Sequence, residues 1–513
     1  MLAIGRPLAL IDVHRVAYQG LPACLDDSAR AELAHTRAHL EAALDRGATI
    51  YGVNTGFGAL SETRVSPEDL ADLQVNLLRS HAVGVGTPLC EAFVRALLLL
   101  RAHTLAQGAS GASPALVDHL LQMLNRGITP IVPSQGSVGA SGDLAPLAHL
   151  ALVAIGEGEA TLRDTQGTLA GADALASVGL KPYVLRPKEG LSLINGTQMM
   201  TAIAALCAVD AGELVIAADV LGALSLDALL GSIQPCDPRI HRGKPHPGQI
   251  ASAAMIRELI AGSPLNSSHA ACGLVQDAYS LRCMPQVHGS VRSALAYVAN
   301  ALTIEVNSFT DNPLVLANDD GTFDVISGGN FHGASVAVPI DHLTAAMTTL
   351  GTISERRLDR FLNPATSRGL PAFLAARPGL ESGMMMVQVT ASALASECKT
   401  LSMPASVDTI PTSAGKEDHV SMGPIAARKL EMVVSAVARI LAIEGVIAAR
   451  ALDLRDNATS PALTRAHALI RKYVAPTTGD RSVSAEIEAL AAAIRRGELN
   501  QAAGVRSALA PPE

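Results

Sequence analysis

The chain has 513 residues, 49% hydrophobic but only 3% aromatic, with no tryptophan and a formal net charge of −8. That length exceeds one ordinary domain, and its core has to be built from Ala, Leu, Val and Ile, which suits closely packed helices better than aromatic-rich sheets. An acidic balance without a basic block excludes a nucleic-acid surface.

In chain order, "MLAIGRPLALIDVHRVAYQG" is broken by Arg6, Asp12 and His14 before a signal-type apolar core forms, so a cytoplasmic location is expected. The cysteines stand at 24, 90, 207, 236, 272, 283 and 398 with no CxxC pair. Reduced thiols fit this spacing better than a disulfide framework or a zinc site, and no metal is expected. Residues 1–190 read as a smaller mixed N-terminal domain, with many glycines and helical patches such as Cys90 to Gln107. "ATLRDTQGTLAG" (160–171) reads as a hairpin about Gln166-Gly167.

From Gln198 the texture changes to long Ala/Leu-rich runs at 198–230, 286–309, 334–361, 383–401 and 424–454. In the last of these Leu430, Val433, Val437, Ile440, Ile443 and Ile447 recur at helical spacing. Pro424 after Gly423 suits a helix first turn. The most apolar stretch, Met199 to Leu230, carries Asp210, Glu213, Asp219 and Asp227, which would be costly in a bilayer; it reads as a buried bundle helix, with no membrane partner. The expected fold class is all-α, with a long central helical bundle over 191–475. The mixed domain before it carries the glycine-rich loop at 136–142, and a helical tail over 476–513 ends in a fraying "LAPPE".

Five polar, glycine-rich segments interrupt this scaffold. "YGVNTGFG" (51–58) places Tyr51 and Phe57 together in a chain with only six tyrosines and seven phenylalanines; a tight turn with two packing aromatics is the plain alternative. In "RSHAVGVG" (79–86), His81 stands where a helical pattern gives way to Gly84 and Gly86, a position that also suits a structural histidine. "GSVGASGDLAPLAH" (136–149) reads plainly as a loop and helix start at Asp143. It also admits a backbone reaction. Gly142 has no side chain, so its nitrogen can be bent onto the carbonyl carbon of Ala140. Ring closure with loss of water, then loss of the Ser141 hydroxyl, leaves an exocyclic methylidene on an imidazolone, an electrophile made with no metal or external cofactor. Strain has to drive such a closure.

"VQDAYSLRCMPQVHG" (275–289), read as helix, puts Gln276, Tyr279, Arg282 and Gln286 on one face. Exposed, that face is ordinary; buried, its groups need partners, and Arg282 needs a carboxylate from protein or substrate. "PTSAGKEDHVSMG" (411–423) sets Lys416, Glu417, Asp418 and His419 before the longest helix. A helix dipole explains Glu417 and Asp418 but not Lys416.

Together with "LINGTQ" (193–198), "DNPLV" (311–315) and "GGNFHG" (328–333), these segments resemble the aromatic amino acid lyase family in its histidine ammonia-lyase branch. They occur in the family's order over roughly residues 50 to 425. The resemblance implies that Ala140, Ser141 and Gly142 become a 4-methylidene-imidazol-5-one (MIO) group. It implies that Tyr51 is the general base, and that Asn195 and Arg282 hold the substrate carboxylate, Asn195 also near the MIO. Tyr279 and Gln276 then support the MIO and the bound amino acid, Phe331 lines the pocket, and His81 and Glu417 face an imidazole ring. The implied reaction is elimination of ammonia from L-histidine to give urocanate, by a homotetramer whose active sites draw on three chains. It leaves open whether the substrate's amine or its ring meets the electrophile.

Three alternatives stand beside this reading. One is an MIO-dependent lyase for another aromatic or histidine-derived amino acid, because Gly415-Lys416 replaces the branch's usual Asn-Gln. That exchange puts a cation where Lys416 either pairs with Glu417 or accepts extra negative charge on a substrate. The second is an aminomutase returning ammonia to the β-carbon, and the third is a helical assembly without activity.

Overall fold

The structure, a computed structural model, describes residues 1–506 apart from 51, 57–62, 164, 166, 271, 272, 274, 319, 321 and 478. The expected base Tyr51, the hairpin tip at Gln166 and the terminal "LAPPE" lie outside the described residues. The fold is all-α, with helices carrying most of the chain and strands of two to four residues. The long runs appear as helices Gln198–Ala228, Met284–Val306, Ala334–Leu362, Met385–Leu401 and Gly423–Asp453. Contacts group the chain into two compact units, each assembled from segments far apart in sequence.

The first unit comprises Met1–Leu206, Ala299–Ile340 and Pro404–Arg428 and holds every strand among the described residues. The expected hairpin is present as Glu159–Leu162 paired antiparallel with Leu169–Ala170, and Ile128–Pro130 extends that sheet. Helix Glu91–Ala106 is buried from Ala92 onward, on every face, as an all-round apolar helix must be. This leaves two arginines inside. Arg95 answers its burial by donating to the carbonyls of Val16 and Leu124.

The second unit comprises Cys207–Val298, Asp341–Met403 and Lys429–Glu513. The stripe Leu430, Val433, Val437, Ile440, Ile443 and Ile447 is fully buried, each side chain contributing roughly 1.5–3 kcal/mol of burial. The acids of helix Gln198–Ala228 all find partners in this unit. Asp210 pairs with Arg495, and Glu213 accepts from Asn500 Nδ2 at 2.8 Å. Asp219 binds His288 at 2.7 Å and Arg292 at 2.5 Å, while Asp227 accepts from Ser263 at 2.7 Å. These acids explain why a helix apolar enough to span a bilayer is instead 94% buried over its most apolar stretch.

One expectation needs correction. Residues 276–286 do not form a single helix: Tyr279–Arg282 is one turn, and a new helix starts at Met284. Pro285 supplies no N–H to continue the ladder and suits a first turn instead. Ala278 is extended (φ −65, ψ 158), which leaves Gln276 ahead of the turn.

Candidate active site

The loop at 137–142 is clamped from two sides. Ser421 Oγ donates to Gly139 O at 2.9 Å, and Met422 N donates to Val138 O at 2.9 Å. Ala140 packs with Val420 and Met422 in a small apolar cluster. On the other side Gly142 lies against Gly196, and Asp143 N donates to Gly196 O at 2.7 Å. Gly142 sits at φ +74, and a Cβ there would stand 2.2 Å from Gly196 O. Only glycine fits.

Asp143 does not cap the helix it precedes. Its Oδ2 accepts from Met199 N and Met200 N at 2.8 and 3.0 Å, capping the neighbouring helix Gln198–Ala228. Burial pushes this carboxyl up to about 7, against the pull of those two amides. Three helices thus begin around the loop, at Leu144, Gln198 and Gly423. Their N-terminal ends supply positive potential where a developing negative charge would be stabilised.

Asn195 terminates the short helix Glu189–Ile194. Its Nδ2 donates to Ser141 O at 2.9 Å, while its buried Oδ1 has no partner. A buried orphan acceptor marks where a ligand's donor would fit. Beneath it, Arg101 Nη1 donates to Asn195 O at 3.0 Å and to Gln198 Oε1 at 2.7 Å. Full burial lowers this guanidinium to about 10. In the sequence Arg101 is marked only as a charge inside the apolar run "VRALLLLRAHTLA".

Glu417 is fixed by the loop before it. Ser413, Ala414 and Gly415 are all left-handed, at φ 50, 52 and 81. The reversal lets Thr412 N donate to Glu417 O at 2.9 Å and Glu417 N donate to Thr412 O at 3.3 Å. Thr412 Oγ1 donates to Glu417 Oε2 at 2.6 Å, and Ser141 Oγ donates to Oε1 at 2.8 Å. The structure therefore joins Ser141, Asn195 and Glu417 directly. Lys416 is exposed, in no ion pair among the described residues.

His81 is the last residue of helix Leu70–His81, its Nδ1 on Leu77 O at 2.8 Å. The chain beyond it is tied to the loop's own helix, since Gly84 N donates to His149 Nε2 at 3.0 Å. Phe331 is half-buried in a turn whose next residue, His332, stacks on His419 at 5.8 Å.

The remaining predicted residues form a cluster of their own in the second unit. The Arg282 guanidinium lies 4.5 Å from the centre of the Tyr279 ring, a cation–π contact on a 70% exposed tyrosine. Gln276, Arg282 and Gln286 line a cavity of about 480 Å³ together with Asp277 and His269. Arg282 Nε and Gln286 Oε1 are buried without partners. The open guanidinium N–H beside the cavity suits a carboxylate, and the open amide oxygen suits a ligand's donor such as an ammonium.

Residues 8–472 match the family described as aromatic amino acid lyase. A histidine ammonia-lyase of Sorangium cellulosum is 51% identical over 99% of this chain and all of its own. The solved histidine ammonia-lyase of Trypanosoma cruzi superposes with a TM-score of 0.91 at 39% identity, covering 100% of this chain and 99% of its own. The tyrosine aminomutase of Streptomyces globisporus gives 0.92 at 38%, covering 98% of each. The match in sequence and in fold runs the length of the chain, and it includes the glycine-bound loop whose geometry tolerates no side chain. The chain belongs to the aromatic amino acid lyase family.

Proposed function

We propose that this chain is a carbon–nitrogen lyase that eliminates ammonia from L-histidine to give trans-urocanate, using an MIO group made from Ala140, Ser141 and Gly142. The observation that carries this reading is the loop itself: Gly142 is pressed onto Gly196 backbone, with Ser141 held by Asn195 and Glu417. Those residues fit the group, since the ring needs a side-chain-free nitrogen donor and a hydroxyl free to leave. The histidine lyases among the relatives support the substrate.

When formed, the group supplies an electrophile that makes a better leaving group of the substrate's nitrogen. The chain's own side chains do the rest. Arg282 pins the carboxylate through paired donors, with Tyr279 beneath its guanidinium and Gln276 beside the bound amino acid. Asn195 holds Ser141 O and offers its open Oδ1 to a substrate donor. Glu417 and His81 face the imidazole, and Phe331 bounds the pocket. Tyr51 removes the β-proton. Tyr51→Phe is expected to lower kcat by roughly 10²–10⁴-fold and to remove one limb of the pH–rate profile. Near-normal turnover would take Tyr51 out of this role.

We further infer a cytoplasmic homotetramer whose sites combine residues from three chains. Tyr297, Ile304, Val338, Met403 and Val407 are 53–79% exposed, apolar surface of the kind that subunit interfaces cover. In this proposal residues 1–190 carry the MIO loop, 191–475 the long bundle and 476–513 the tail.

The test is a panel of histidine, tyrosine, phenylalanine and histidine derivatives, followed by ultraviolet absorbance of the unsaturated acid. Histidine is expected to lead by at least about 10-fold in kcat/KM. A better non-histidine substrate would overturn the assignment, and an accumulating β-amino acid would make the chain an aminomutase. Because Lys416 is exposed, Lys416→Gln should leave histidine kcat/KM within about threefold, as surface charges usually do. A larger change would make that lysine part of substrate choice.

A further inference from the structure

We propose that Glu417 is the acid that discharges the Ser141 hydroxyl when the loop matures, before the same carboxyl serves a bound amino acid. The second role rests on the function proposed above; the first does not depend on which amino acid is bound.

A hydroxyl leaves carbon poorly unless a proton reaches it. Glu417 Oε1 stands 2.8 Å from Ser141 Oγ, within the range in which an acid can act directly. The carboxyl is not there by chance of rotamer. Its other oxygen is held by Thr412 Oγ1 at 2.6 Å, and its backbone is locked to Thr412 across three left-handed residues. Such backbone is disfavoured for a non-glycine residue and is retained where the surroundings enforce it. The other nearby carboxyl, Asp143, is turned onto the amides of Met199 and Met200. Among the described residues Glu417 alone carries a carboxyl bonded to the Ser141 hydroxyl.

Ring closure forms the bond from Gly142 N to Ala140 C, and the Ala140 carbonyl oxygen departs as water with the Gly142 and Ser141 amide protons. Ser141 Cα–H, now between an imine nitrogen and a carbonyl, gives its proton to a solvent water. That electron pair forms Cα=Cβ as the Cβ–Oγ bond breaks, and Oγ leaves as a second water with the Glu417 carboxyl proton. The hydronium then reprotonates the carboxylate, so Glu417 ends unchanged. Departure of that water also releases Oε1, so the oxygen meant for substrate becomes available only in the matured chain.

The experiment is an intact-mass time course after cell-free synthesis of the full chain as wild type, Glu417→Asp and Glu417→Gln, with circular dichroism to check folding. Loss of the second water is expected in the order wild type, Asp, Gln, with Gln slowed by roughly 10²-fold and accumulating a species lighter by one water. Glu417→Gln maturing at the wild-type rate overturns the proposal. If that variant does not fold, Glu417→Asp decides, because its carboxyl is drawn back by one methylene; wild-type speed there also overturns it. A wild type that loses no water sinks the functional reading as well, whereas full maturation of both wild type and Glu417→Gln sinks only this inference.

Discussion

Ser141→Ala is expected to lower histidine turnover by on the order of 10⁴-fold, because the step that makes an ammonia-lyase possible has lost its reagent. In the proposed MIO group the methylidene carbon is the Ser141 Cβ; alanine offers no hydroxyl to leave, so the variant can shed one water at most where the wild type is expected to shed two. Unfolding is not a rival explanation. In the structure Ser141 is half-buried, and its hydroxyl donates one hydrogen bond, to Glu417. Removing that bond costs about 1 kcal/mol, small against the core of a chain this long. Intact mass and circular dichroism on the same sample separate the two effects: a folded, heavier, inactive protein is the expected result. Turnover within tenfold of wild type would mean that nitrogen is released without the modified backbone.

The candidate site is marked in the sequence where the proposed chemistry needs particular residue types in contiguous runs. A tripeptide of small residue, hydroxyl and glycine has to be consecutive to cyclise, and long apolar helices announce themselves by period. What escaped was what contact, not sequence, decides. Residues 276–286 carry a perfectly helical spacing of polar groups, yet Pro285 divides them into a turn and a new helix. Asp143 reads as the cap of the helix that follows it, but its carboxyl caps the helix starting at Gln198. Thr412 lies inside "PTSAGKEDHVSMG" but nothing in that segment singles it out; its importance comes from left-handed backbone at Ser413 and Ala414, a conformation that nothing in those two residue types requests. Each compact unit gathers segments from distant parts of the chain, and the change of texture near 190 marks the onset of the long helices. Tyr51, the residue the proposed elimination most needs after the tripeptide, lies outside the described residues and rests on sequence.

Gly142→Ala should be as damaging as the loss of Ser141, by a different route. At φ +74 an alanine already costs about 1–2 kcal/mol. Its Cβ would also lie 2.2 Å from Gly196 O and 2.4 Å from Gly196 C. Both are backbone atoms, so no side chain can rotate away. Relief requires the two strands of backbone to part, and parting them breaks the bond from Asp143 N to Gly196 O and pulls Ser141 from Asn195. The expected destabilisation is roughly 2–4 kcal/mol, with no water lost on intact mass and turnover as low as in Ser141→Ala. Gly369→Ala is the matched control: its φ is +84, but nothing stands within 4 Å of the added Cβ. It carries the conformational cost alone and should mature fully. If Gly142→Ala matures as the control does, the pressure of Gly196 on the loop is not what bends the Gly142 nitrogen toward Ala140, and the strain that drives closure has to come from the clamp at Ser421 and Met422 instead.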